Sequence, residues 1–282
     1  MKAKLTLLSI ADLSFLLILA LAGGVGGVPG ILLRCAAWIL PCSLSLMWLH
    51  HRERAEENAS KSFPMLSPGT GLALILPLFP LLLALNLGVA NLTGVFFRLF
   101  GLPLPTVSAA APLWESLLLS ALLPAVGEEL LFRYLPLRAL SGESGRAAVL
   151  WSALLFAAVH GNFYQFPYAF LSGVMFAVLD LYAGSLLPSF LFHLGNNAVS
   201  VFLTAAGDRF GDAVTGRVFL PVLAVTCGLS LVYIVLRRTS YLSFFAYGKR
   251  EKCKDIFAIY PFIVLAIGVT MAILQLLSGG AT

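Results

Sequence analysis

Nine apolar runs, most of them long enough to cross a bilayer as a helix, govern what this chain can fold into. They cover residues 5–22, 29–49, 71–90, 113–136, 147–160, 167–182, 187–205, 218–236 and 256–277. The fifth and sixth are short for a full crossing and are expected to extend into their flanks. Of the 282 residues, 60% are hydrophobic and only 11% are charged. A soluble domain carries about one quarter charged residues, so that class is excluded. The alternation of a membrane β-barrel is also absent. The expected fold is an all-α polytopic membrane bundle of about nine transmembrane helices. Without internal repeats or a shift in composition, it divides only by function. Residues 1–112 are N-terminal helices with a proline-rich connection, 113–205 form a four-helix core, and 206–282 are C-terminal helices with a basic loop.

Positive charge sets the orientation. With the N-terminus inside, the inner segments hold Lys2, Lys4, Arg52, Arg54, Lys61, Arg138, Arg146 and the block Arg237, Arg238, Lys249, Arg250, Lys252 and Lys254. The outer segments hold Arg98, Arg209 and Arg217. Nine spans with N inside and C outside follow. The net charge of +5 is a topology signal and an anionic-lipid contact rather than a nucleic-acid footprint. Lys2, Lys4 and the motif Ala20-Leu21-Ala22 admit a signal peptide, but the long first run favours an uncleaved span. Residues 91–100 are apolar yet carry Arg98, which suits either an interfacial helix or a loop with buried anchors. Cys35, Cys42, Cys227 and Cys253 form no C-x-x-C pair and read as small apolar residues or a cytoplasmic thiol.

The fourth run contains Gly127-Glu128-Glu129-Leu-Leu-Phe-Arg133. Ionisable groups at membrane depth are costly and mark function by default. Glu129 and Arg133 are four apart on one helix face and suit an ion pair. Glu128 is turned ~100° from Glu129 and is left to face a cavity. Downstream, His160 closes the sequence Phe156-Ala-Ala-Val-His160, and His193-Leu-Gly-Asn196-Asn197 places His193 and Asn197 on one face. Asn196 points elsewhere and suits a structural role. Asp180 and Arg34 lie near helix ends and are expected to snorkel to the interface.

These groups fit hydrolysis. A carboxylate takes a proton from water, an imidazole positions that water, and a second imidazole with a carboxamide stabilises an oxyanion. Ser185 and Ser189 lack a nucleophile-elbow motif. Zinc held by Glu128, His160 and His193 is the competing account, although H-E-x-x-H is absent. At ~1.5 Å per residue, Glu128 and His193 fall in the cytoplasmic half, whereas His160 lies ~20 Å from residue 147 and must come down to join them.

The ordered set Glu128-Glu129…Arg133, Phe156…His160 and His193…Asn197 resembles the CAAX protease and bacteriocin-processing family, also called Abi, which includes the Ras-converting CAAX endopeptidases. The stretch Phe170-Leu-Ser-Gly173, then Gly184 to His193, is similar to the family's connection between its last two motifs. The resemblance covers about residues 114–201. It implies an intramembrane endopeptidase with its site open towards the cytoplasm, in the plasma membrane of a prokaryote. By the same resemblance Glu128 is the base, His160 helps activate water, His193 and Asn197 hold the oxyanion, and Glu129 with Arg133 supports them. A metal-free, glutamate-activated water is favoured over zinc. The expected partners are a peptide or membrane-protein substrate and membrane lipids, with no nucleic acid. A non-catalytic immunity or scaffold protein and a proton-coupled transporter are the rival readings.

Overall fold

The computed structural model describes residues 2–22, 25, 27–55, 72–104, 112–140 and 145–246. The ninth apolar run, most of the basic block and Cys253 lie outside the described residues. Among the described residues every regular element is a helix. Five helices are long and apolar enough to cross a membrane, which makes this an integral-membrane protein.

The helices are α1 (Lys2–Ala22), α2 (Gly27–Ala55), α3 (Leu72–Leu99), α4 (residues 113–140), α5 (Gly145–Val159), α6 (Phe166–Ala183), α7 (Leu187–Phe210), α8 (Asp212–Leu236) and α9 (Arg238–Ala246). Residues 91–100 do not form a separate interfacial helix or a loop. Through Leu99 they continue α3, whose last segment is one unbroken helix, Phe79–Leu99. Asn91 and Thr93 return their side-chain hydrogen bonds to Leu87 O and Val89 O of that helix, at 2.9 Å each. This costs the helix no backbone bond.

Proline explains where other helices dock. Pro77 has no N–H for the Ala73 carbonyl four residues back. α3 tightens there into a 3₁₀ turn, Leu76–Leu78. Tyr233 Oη of α8 donates to Ala73 O at 3.3 Å, and Tyr241 Oη of α9 donates to Leu74 O at 2.6 Å. The outer face of α8 keeps Val218, Leu220, Val225 and Leu229 more than 60% exposed, as a lipid-facing surface requires.

The core surrounds α4. Phe15, Trp38, Leu131, Phe132, Leu135, Trp151 and Phe156 belong to one buried cluster joining α1, α2, α4 and α5. α5 and α6 form the tightest hairpin. A Cβ on Gly173 would stand 2.8 Å from Ala153 Cα, so only glycine permits this approach. Gly161, at φ 62°, ends α5. The fifth run therefore does not extend past His160. Over its 15 described residues, α5 is ~22 Å long.

Candidate active site

α4 is not a uniform helix. Leu117–Leu122 and Leu130–Tyr134 are π segments, and such widenings recur at functional sites. In the second, the N–H of Leu135 bonds the Leu130 carbonyl five residues back. Pro136 cannot donate to the Phe132 carbonyl. That carbonyl accepts from Ser152 Oγ and from Arg133 Nη1, the latter at 3.1 Å. Arg133 Nη1 also lies 3.2 Å from Ser152 Oγ. A proline and a serine thus give a fully buried guanidinium its anchor.

Arg133 fixes Glu129. Its Nε stands 3.6 Å from Glu129 Oε2, an electrostatic contact just beyond hydrogen-bond range. The other oxygen, Oε1, lies 2.7 Å from His193 Nδ1. A carboxylate only accepts, so Nδ1 carries the proton and the Nε2 end of the ring points away from Glu129. Nε2 lies 3.8 Å from Glu128 Oε2. Glu128 differs from its neighbour in access: its side chain is 17% exposed, against 1% for Glu129.

Aromatic walls enclose this chain of charges. Arg133 Cζ sits 4.2 Å over the Phe156 ring and 5.9 Å from that of Phe176. The same rings flank His193, with centroids 5.6 and 6.3 Å away. His160 also abuts Phe156, at 4.9 Å, and its Nδ1 lies 2.7 Å from the Phe156 carbonyl oxygen. Both imidazoles therefore meet at one phenyl ring. Asn197 lies one turn beyond His193 on α7. Asn196 Nδ2 donates to its Oδ1 at 3.5 Å, so the carboxamide presents its NH2 elsewhere.

The structure thus brings Glu128, Glu129, Arg133 and His193 into one group. It sets His160 one ring away and Asn197 one helical turn away. Among the described residues, no three His, Cys, Asp or Glu side chains group as metal ligands.

Two functional contacts were not apparent in the sequence. Ser152, in an otherwise apolar helix, gave no signal beyond its hydroxyl. Asp180 does not snorkel. It is fully buried, and its Oδ1 accepts the N–H of Ser189 at 3.0 Å. The physical reason is that α7 begins directly after the turn that ends α6, and folds its free N–H groups back onto that helix. Gly127 explains the approach of α2: a Cβ there would run into the Trp38 indole.

No curated protein and no solved structure matches the chain. The family model described as type II CAAX prenyl endopeptidase Rce1-like matches residues 110–199. Over that stretch, which holds every charged and polar group of the site, the chain is homologous to the Rce1-like CAAX protease family.

Proposed function

We propose that this protein is an intramembrane endopeptidase that hydrolyses a peptide bond near the cytoplasmic face with water activated by Glu128. The observation that carries this reading is the buried chain Arg133–Glu129–His193, which turns His193 Nε2 towards the more accessible Glu128 carboxylate. A structural ion pair would need only its first two members.

The chemistry follows from those positions. Glu128 accepts a proton from water, and the water oxygen attacks the scissile carbonyl carbon. Negative charge develops on the carbonyl oxygen. His193 Nε2, donating when the ring is protonated, and the Asn197 NH2 meet that charge. Glu129 at Nδ1 balances the imidazolium. As the tetrahedral intermediate collapses, the C–N bond breaks and Glu128 returns its proton to the leaving amine. His160 supplies a further contact to the water from beside Phe156. The substrate is a peptide or a membrane-anchored tail, and the setting is a prokaryotic plasma membrane.

The test compares membrane peptides in cells carrying wild-type or Glu128→Gln protein. Substrate accumulates and its cleavage product disappears in the variant, while insertion and folding are unchanged. Full cleavage by the variant sinks the mechanism. Complementation of the cellular phenotype by the variant would favour a scaffold instead. Metal analysis of the purified protein, with a chelator control on cleavage, separates the glutamate route from a zinc route.

A further inference from the structure

Asp180 is a buried carboxyl that the proposed chemistry does not use. It lies one turn before Gly184, whose φ of 61° ends α6. Its backbone carbonyl accepts the N–H groups of Gly184 and Ser185, the latter at 3.2 Å. Its side chain crosses the turn to the N–H of Ser189 at 3.0 Å. One residue thus holds the last turn of α6 and the first turn of α7 together. The N–H of Ser189 belongs to the first turn of α7, where backbone donors have no partner within the helix.

Ser189 precedes His193 by four residues and shares its face. Tying down Ser189 therefore fixes the rotation of α7 at the level of the site. The geometry is sensitive to that rotation. At a radius of ~5–6 Å, a turn of ~10° moves a side-chain tip by ~1 Å. A shift of that size takes the 2.7 Å contact between His193 Nδ1 and Glu129 out of hydrogen-bond range. The Asp180 carboxyl also lies within electrostatic reach of Glu129 and Arg133.

We propose that Asp180 is a positioning residue: by holding the Ser189 N–H against the end of α6, it sets the rotation of α7 that presents His193 Nδ1 to Glu129. The catalytic consequence rests on the peptidase reading, but the geometric claim does not.

The experiment is nitrogen NMR of the histidine rings in the full chain, labelled and held in lipid nanodiscs. The chain has four histidines, and His193→Gln assigns the signal. In alkaline buffer, wild type shows one neutral tautomer with the proton on Nδ1. Asp180→Ala loses that single state and gains the Nε2-protonated form. Ser189→Pro removes the same bond from the other side and gives the same change. Asp180→Asn keeps an acceptor oxygen and preserves the wild-type tautomer. A wild-type tautomer in both Asp180→Ala and Ser189→Pro overturns the proposal, and so does its loss in Asp180→Asn. Where Asp180→Ala does not fold, the Ser189→Pro and Asp180→Asn arms decide. No substrate is needed, so an inactive wild type with the expected tautomer pattern defeats only the peptidase reading. An active wild type with unmoved Asp180→Ala and Ser189→Pro spectra defeats only this inference.

Discussion

Replacing Arg133 by Met tests whether the buried charges of α4 depend on one another. Arg133 is fully buried, pairs with Glu129, reaches Phe132 O and Ser152, and covers the Phe156 ring. Met fills much of the same volume but leaves Glu129 a buried carboxylate without its cation. Removing one member of a buried pair costs ~3–5 kcal/mol, chiefly for the charge left behind. The lost cation–π contact is worth up to ~2 kcal/mol when desolvated, but it overlaps with that figure and is not added. A loss of ~3–5 kcal/mol lowers the ratio of folded to unfolded protein roughly 10²- to 10⁴-fold. It is a large part of a typical total stability of about 5–15 kcal/mol. Glu129→Gln alone should cost less, because Arg133 keeps its carbonyl, hydroxyl and ring partners. The double variant should then be more stable than the two single losses imply, by ~1–3 kcal/mol. Reversible unfolding in mixed micelles, followed by the fluorescence of the four tryptophans, measures all four corners of the cycle. An Arg133→Met cost below ~1 kcal/mol, or a cycle without coupling, refutes the reasoning.

Three further outcomes are expected. Gly127→Ala drives a methyl into Trp38 and should cost ~1–3 kcal/mol by overpacking, with Trp38→Leu restoring part of it in the same unfolding assay. Ser152→Ala deprives the Phe132 carbonyl and Arg133 of a partner; a loss of ~1–3 kcal/mol is expected in thermal or denaturant unfolding. Asn197→Ala should leave stability within ~1 kcal/mol, as it lies half-buried, yet raise the barrier to cleavage by ~2–4 kcal/mol. Equal activity of Asn197→Ala and wild type on the identified peptide would remove it from the oxyanion role.

The helices were largely legible, because hydrocarbon length and apolar runs speak directly of spans. The interruptions were not. A π segment such as Leu130–Tyr134 changes the register without changing composition, so nothing in the residue pattern announces it. Residues 91–100 were misplaced because Arg98 weighed as an interface marker, whereas α3 simply carries it outward. In the site, the i, i+4 spacing of Glu129 and Arg133 described a contact within one helix, which sequence can reveal. The bond from Glu129 to His193 joins residues 64 apart, and spacing has no access to it. Sequence reasoning therefore assigned His193 a partner one turn away, Asn197, and overlooked the one across the bundle. Asp180 was misjudged for the same reason: closeness to a helix end along the chain does not reveal that the next helix folds over that end.

The turn that follows α5 bears on how water could reach such a site. Hydrolysis consumes water, and hydrocarbon supplies almost none. The turn after α5, residues 160–165, holds backbone groups outside any helix. Backbone groups there must be satisfied or wetted. Asn162 meets two of them, accepting from Gln165 N at 2.8 Å and, through its carbonyl, from Phe166 N at 3.1 Å. The remaining backbone groups of the turn need water or another polar partner, and His160 stands at its edge. A wetted turn beside His160 brings water to the edge of the one phenyl ring that both imidazoles share.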